Sequence, residues 1–265
     1  MGFWNATERG NAMGYVVCAR EVWKEIPRER GSLVVLRDCS LEAGPGVTSL
    51  VGRSGAGKTS LLHVLSGLDA PTRGTVVVDG VNVYALSETR RTQFIRDHIG
   101  FVFQDANLVP YLTLEENAVL PLNLAGRRVD AAQLDSLFTC FSLAHSRHTR
   151  AEAASGGEAQ RCAIIRALIS RPQVLFADEP TGALDSNNSQ VVLKALRSIG
   201  DSGATVIIVT HDPVIASLSD RVVFMRDGRV TRVATDMSAS EVLEGMNEQR
   251  EEASDAAIHS EDPDQ

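Results

Sequence analysis

Eight consecutive residues, Gly52-Arg53-Ser54-Gly55-Ala56-Gly57-Lys58-Thr59, carry the spacing Gly-x-x-x-x-Gly-Lys-Thr. Glycines let such a loop curl until successive backbone N–H groups point inward at a phosphate chain. A helix starting directly behind it, expected at Ser60–Gly67, adds the positive end of its dipole. In that cradle Lys58 reaches the β- and γ-phosphates and Thr59 offers its hydroxyl to Mg²⁺. The apolar run Val47–Val51 in front of the loop supplies the strand that such a loop needs. Glycine at about 7% of residues would produce the bare spacing by chance in roughly one chain of this length in a hundred, and the strand-loop-helix context makes chance rarer still.

Three further groups could do chemistry. Val174-Leu-Phe-Ala-Asp178-Glu179-Pro180 is an apolar run ending in two acids. Alone, such a pair reads as a solvated strand end. Behind a phosphate loop, Asp178 sits where a carboxylate holds Mg²⁺ through water, and Glu179 where one accepts a proton from an attacking water. His211-Asp212 follows the apolar run Thr205–Thr210. A histidine there can reach a γ-phosphate, although a lone histidine is more often a satisfied structural residue. Finally, Ala154-Ser155-Gly156-Gly157-Glu158-Ala159-Gln160-Arg161 opens a helix expected to run to about Ser170. Ser155 makes a plain N-cap, but its hydroxyl, the free N–H groups and the helix dipole also make an anion site. One nucleotide hardly needs two such sites from one chain, which implies a second use.

The elements that must position these residues alternate short β-branched runs with helical stretches, the pattern of a parallel sheet flanked by helices. Strands are expected at Tyr15–Ala19, Leu33–Leu36, Val47–Val51, Thr75–Val78, Gly100–Phe103, Val174–Ala177, Thr205–Thr210 and Val222–Met225. Val174–Ala177 and Val206–Val209 are apolar without alternation, as in a strand covered on both faces. Asp79-Gly80 and Asp227-Gly228 read as hairpin turns, so the early strands are expected to be antiparallel and the last hairpin to add an edge. From about 87 to 155 the chain is helix-rich, with Ser87–Asp97, Leu114–Leu124 and Val129–Phe141 as helices, and reads as a helical subdomain inserted in an α/β core. Ser238-Ala-Ser-Glu241 could open a short terminal helix through a capping box.

Composition narrows the function classes. At 265 residues, 43% hydrophobic, the chain can bury a large core and is not a disordered chain. Its longest apolar runs are far short of the twenty or so residues of a membrane span, and Met1–Gly14 lacks the apolar core of a signal peptide. Net charge is −8, and from Glu241 onward nine acids face one base, so the body is close to neutral. A nucleic-acid binder would show a basic surplus, which is absent. Cys18, Cys39, Cys140 and Cys162 are widely spaced and read as reduced. His145 and His148 have no acid or cysteine at ligand spacing. Residues 249–265 read as a disordered acidic tail and 1–14 as an extension, leaving 15–248 as the domain.

With these pieces in order, residues 16–235 resemble the ATP-binding subunit of an ABC transporter, which implies a P-loop NTPase core with a mixed sheet, an N-terminal antiparallel portion and a helical insert. The phosphate loop is Gly52–Thr59. Phe101-Val-Phe-Gln104 resembles the Q-loop, Ala154–Arg161 the signature, Ala183-Leu184-Asp185 the D-loop, and His211 the switch histidine. A narrower resemblance, to the branch of lipoprotein release and macrolide export, rests on Gly67-Leu68-Asp69-Ala-Pro71-Thr72-Arg-Gly74, Asn107-Leu108-Val-Pro110-Tyr-Leu-Thr113-Leu-Glu-Glu-Asn117 and Asp178–Asp185. Ala154 stands where leucine is usual, and Glu158 where glutamine is common. Ile26 falls where the family has an aromatic residue against adenine, so either Ile26 or Trp23 faces the base.

The resemblance implies a head-to-tail homodimer with each ATP held between the phosphate loop of one copy and the signature of the other. It assigns phosphate contacts to Gly52, Arg53, Ser54, Gly55, Ala56, Gly57, Lys58, Thr59 and Ser60, and Mg²⁺ to Thr59, Gln104 and Asp178. Glu179 becomes the general base, with His211 at the γ-phosphate and Gln104 completing the catalytic group. Ser155, Gly156 and Gly157 cap the partner's nucleotide, and Asp185 shapes the seam. The implied setting is the inner face of the plasma membrane, with a permease of few spans as partner and no nucleic acid. A soluble regulator of the same family usually carries two cassettes, and a DNA-repair ATPase needs a long coiled coil between Lys58 and Ser155, where no heptad run occurs.

Overall fold

The structure is a computed structural model that describes residues 16–258 except Arg30 and Ala183, with side chains described to residue 248. The expected extension 1–14, Tyr15 and residues 259–265 lie outside the described residues. In chain order the strands are β1 (Val17–Pro27), β2 (Ser32–Ala43), β3 (Gly46–Val51), β4 (Arg73–Val78), β5 (Val81–Asn82), β6 (Ile99–Val102), β7 (Val174–Asp178), β8 (Thr205–Val209), β9 (Arg221–Arg226) and β10 (Arg229–Ala234). The α-helices are α1 (Lys58–Leu65), α2 (Glu88–His98), α3 (Leu114–Leu124), α4 (Ala131–Cys140), α5 (Gly156–Leu168), α6 (Ser186–Asp201), α7 (Pro213–Ser217) and α8 (Ala239–Ile258).

Two sheets result. The first is antiparallel in the order β2-β1-β4-β5, and the second runs β10-β9-β3-β8-β7-β6. In the second, β9, β3, β8, β7 and β6 pair in parallel and only the β9–β10 hairpin is antiparallel. Both Asp-Gly pairs are two-residue hairpin loops with positive φ at each residue: 48° and 76° at Asp79-Gly80, 50° and 75° at Asp227-Gly228. That is the type I′ geometry that their sequence favours.

The two apolar runs are buried on both faces, as expected: every residue of β7 and β8 is buried. Their side chains alternate between two cores. Leu175, Ala177, Val206 and Ile208 join the core under α3, α4, α5 and α6. Val174, Phe176, Ile207 and Val209 join the core that also takes in α1 and the antiparallel sheet. The period of two that sends alternate side chains to opposite faces thereby ties both layers to one central sheet. Phe176 is fully buried, and its replacement by alanine would open a cavity at a cost of about 3–5 kcal/mol.

Several elements differ from the sequence expectation. β1 continues past Ala19 to Pro27, through a bulge where Glu21 has φ 50° and the β1–β2 register shifts. The charged pair Arg20-Glu21 occupies that bulge, which hides the alternation that would have extended the strand. Within the helix-rich span 87–155 the strand expected at Gly100–Phe103 forms one residue earlier, as β6. It is an edge strand of the second sheet, so α2 is divided from α3, α4 and α5. Ser186–Asp201, not expected as a helix, is the amphipathic α6, capped by Asp185. The Ser238–Glu241 capping box forms, with Glu241 N donating to Ser238 Oγ at 3.3 Å and Ser238 N to Glu241 Oε2 at 2.8 Å. The helix it opens is long, not short, and runs through Ile258 into the segment read as a tail.

Candidate functional site

The loop 52–57 joins the end of β3 to α1. Its three glycines all have positive φ, 151°, 80° and 95° at Gly52, Gly55 and Gly57. Gly52 has a second reason to lack a side chain: a Cβ would stand 2.2 Å from the Met225 carbonyl oxygen. α1 begins at Lys58 with Gly57 as its N-cap, two residues earlier than the sequence pattern suggested. Lys58 Nζ donates back to Gly52 O and Arg53 O, both at 2.9 Å, and Ala56 N donates to Arg53 O at 3.1 Å. Burial pulls the Lys58 ammonium below its ordinary pKa, while the Glu179 and Asp178 carboxylates push it back up. The loop is therefore a curled backbone around a buried cation, the electrostatics of an anion seat.

A cleft of about 480 Å³ opens over the loop, lined by Ser54, Gly55, Gly57, Lys58, Thr59 and Ser60 together with Val35, Gln104, Glu179 and His211. Gly52, Arg53 and Ala56 do not line it. Asp178 ends β7 beneath the cleft, 5% exposed, and Thr59 Oγ1 donates to its Oδ1 at 3.2 Å. Burial raises the Asp178 carboxyl above its usual range, against the lowering effect of the Thr59 bond. Glu179 follows with φ 43°, a left-handed conformation unusual for glutamate. Its N–H donates to Val209 O at 3.0 Å, which fixes the turn that aims its side chain into the cleft. His211 Nδ1 lies 3.0 Å from Glu179 Oε1. Five elements thus deliver the predicted groups to one place: the loop after β3, the start of α1, the segment after β6, and the ends of β7 and β8.

Ser155, Gly156, Gly157 and Asp185 do not line that cleft. Ser155 caps α5 in a reciprocal capping box. Glu158 N donates to Ser155 Oγ at 3.2 Å, and Ser155 N donates to Glu158 Oε2 at 3.0 Å. The Ser146 hydroxyl also bonds to Glu158. These bonds hold the Glu158 carboxyl below its usual range, first through Ser146 and then through Ser155. Gly156 faces open space, and a Cβ on Gly157 would stand 3.4 Å from Leu184. Leu184 and Asp185 therefore lie beside the start of α5, with Asp185 accepting from Asn188 N at 2.9 Å. Ala183, between the acids and this corner, is outside the described residues.

Sequence reasoning missed the residues that hold Gln104 in place. Gln160 Nε2 donates to Phe103 O at 3.1 Å, and Arg166 donates to Asn107 O at 2.7 Å and to Ala106 O at 2.8 Å. Asn117 closes the far end, accepting from Val109 N at 2.7 Å and donating to Val109 O at 3.0 Å. Polar residues on an otherwise apolar helix face were the available signal, since buried amides need partners. The two candidates for the base part company. Trp23 pairs with Arg73 of β4. Ile26 pairs with Leu33 across β1–β2, and the two are 43% and 39% exposed. Leu33 lines a second cleft that shares Val35 and Gly55 with the first. Among the described residues no helix is long and apolar enough to cross a membrane.

Comparison with known proteins agrees with this geometry. A family model described as ABC transporter matches residues 36–182. The chain is 41% identical over 214 residues to the lipoprotein-releasing system ATP-binding protein LolD 1 of Rhodospirillum rubrum, covering 79% of this chain and 95% of that protein. It is 37% identical over 223 residues to the macrolide export ATP-binding/permease protein MacB of Campylobacter jejuni, covering 83% of this chain and 35% of that protein. It thus spans about a third of the length of the macrolide export relatives that it matches. The dimeric post-hydrolysis structure of the ATP-binding cassette MJ0796, bound to ADP and Pi, is similar with a TM-score of 0.78 and 32% identity, covering 84% of this chain and 99% of that one.

Proposed function

The chain belongs to the ABC transporter family, and from that premise we propose that it is the ATP-hydrolysing subunit of a transporter whose two copies close head to tail on a pair of ATP molecules. The domain that does this is residues 15–248. The observation that carries the reading is the convergence on one cleft of Lys58, Thr59, Gln104, Glu179 and His211, with Asp178 bonded to Thr59 below. The permease is proposed to be of the few-span type, and the subunit to work at the inner face of the plasma membrane. The supporting observations are the resemblance to LolD 1 and to the ATP-binding part of MacB.

In this reading the N–H groups of the loop residues that line the cleft, Ser54, Gly55 and Gly57 to Ser60, and the Lys58 ammonium seat the triphosphate. Ile26 and Leu33 offer apolar surface to the base. Thr59, Gln104 and Asp178 bring only oxygen donors, the set that suits a hard divalent cation. The Thr59–Asp178 hydrogen bond puts two of those donors within 3.2 Å of each other. Magnesium, when bound, offsets phosphate charge. Glu179 takes the proton of the attacking water as its oxygen bonds to the γ-phosphorus, and the bond to the bridging oxygen breaks to leave ADP and phosphate. His211 holds Glu179 and the γ-phosphate in register. Ser155, Gly156 and Gly157 lie outside their own cleft, which supports their use by a second copy.

Light scattering on the Glu179→Gln variant tests the reading. With the proton acceptor gone, ATP and Mg²⁺ should hold the protein as a dimer that ADP does not. A variant that remains single with ATP bound, or one that hydrolyses at the parental rate, would sink the proposal.

A further inference from the structure

The Asp227-Gly228 turn between β9 and β10 reverses the chain directly against the phosphate loop. The buried carbonyl groups of such a loop each need a donor. Lys58 serves Gly52 O and Arg53 O. Ala56 O is served from the far end of the sequence, by Gly228 N at 3.1 Å. In a planar trans peptide the C=O of one residue and the N–H of the next point in opposite directions, and no peptide among the described residues is cis. Holding Ala56 O outward therefore aims the Gly57 N–H at the cleft.

The turn is gripped on its other side as well. Gly228 O accepts from Arg37 N at 2.7 Å and from the Cys39 thiol at 2.9 Å. Cys39 is fully buried. A Cβ on Gly228 would stand 2.4 Å from Val35 O, and one on Gly57 would stand 3.4 Å from Gly228 Cα. The turn is wedged between β2 and the loop with no spare room.

The geometry points to Gly228 as a positioning residue of the nucleotide site: its N–H sets the Ala56–Gly57 peptide plane, and through it one donor of the phosphate seat. This rests on the reading of residues 52–59 as that seat. A donor that grips the phosphates in substrate and transition state alike contributes uniform binding, so its displacement raises KM and spares kcat.

The protein contains its own control. The Asp79-Gly80 turn has the same sequence and nearly the same φ angles, yet a Cβ on Gly80 meets nothing within 4 Å. Alanine at either glycine bears the same left-handed backbone strain, but only at Gly228 does the methyl press on the β2 backbone at Val35 O, and so shift the turn whose N–H holds Ala56 O. Calorimetry with ATP and steady-state hydrolysis with Mg²⁺ compare the parent, Gly80→Ala and Gly228→Ala. In Gly228→Ala the Kd and KM for ATP should rise by about tenfold with kcat within about twofold, the loss of one good hydrogen bond. Gly80→Ala should match the parent. Equal KM values in the two variants, or a fall in kcat alone, overturn the inference. Should Gly228→Ala fail to fold, Cys39 decides. Cys39→Ala loses the donor to Gly228 O and should raise KM by about threefold, while Cys39→Ser keeps one and should stay at the parental value. Equal KM in that pair overturns the inference. A parent that binds no ATP overturns the nucleotide reading together with it, which is distinguishable from an ATP-binding parent with a normal Gly228→Ala.

Discussion

His211 Nδ1 and Glu179 Oε1 stand 3.0 Å apart, with the His211 side chain 68% exposed and the Glu179 side chain only 23%. The carboxylate is thus held from the open side of the cleft by a ring anchored to a different strand, β8, while its own backbone is strained at the end of β7. A left-handed glutamate is retained where the surroundings over-determine it and the side-chain direction matters. His211→Ala should free that carboxylate and lower kcat by about a hundredfold, since small misplacement of a reacting group costs that much. ATP affinity should stay within about twofold. Phosphate release and calorimetry measure the two, and a parental kcat in His211→Ala refutes the arrangement.

Lys58 acts in two ways, as a cation and as the donor that closes the loop on Gly52 O and Arg53 O. Lys58→Ala should weaken ATP binding by about 10- to 100-fold, the worth of hydrogen bonds to a charged group. Unchanged affinity by calorimetry would contradict the cradle.

Mixing two dead variants tests whether a site is shared between copies. Lys58→Ala spoils the loop half and Ser155→Ala the capping half. In a head-to-tail dimer of one with the other, one site keeps both intact halves. Random pairing should therefore restore about a quarter of the parental sites, as two-fold symmetry requires. A mixture no more active than its parents counts against the shared site.

Asp178 gives a stability prediction that depends on pH. Burial raises its folded pKa above the unfolded value. Its contribution is then fully present below the unfolded pKa and is lost as pH rises through the folded one, because the charged form is disfavoured inside. Asp178→Asn removes that penalty. Without nucleotide, the variant should melt above the parent near neutral pH, and the gap should close as pH falls through the carboxylate range. Its hydrolysis should meanwhile fall sharply. Melting curves that keep a constant gap across pH would disprove the account.

Much of the convergence at the candidate site was legible in the sequence because its signals are local. The glycines, Lys58 and Thr59 are contiguous, and Asp178-Glu179 and His211 each follow an apolar run that folds as a buried strand. The Asp-Gly turns were legible for the same reason. Strand order was not, because β3 lies between β8 and β9, a pairing across most of the chain. Neither was the extent of β1, whose bulge at Glu21 breaks the period of two. Gln160 and Arg166 hold the backbone beside Gln104 through contacts about sixty residues distant in sequence. Residue type alone assigns them to an ordinary helix surface.

The central position of β3 bears on how the protein is made. Both neighbours of the strand that leads into the Gly52–Gly57 loop are translated after the loop itself, and Met225 of β9 forms the roof over Gly52. Long-range pairing of this kind is slow, since chain closure precedes any reward. On the ribosome the growing polypeptide would carry the complete glycine-lysine motif for most of its synthesis without a competent pocket. On the proposed reading of Gly52–Thr59 as the phosphate seat, capture of nucleotide waits until β9 and the Gly228 turn have emerged and docked, so binding would report completed assembly of the fold.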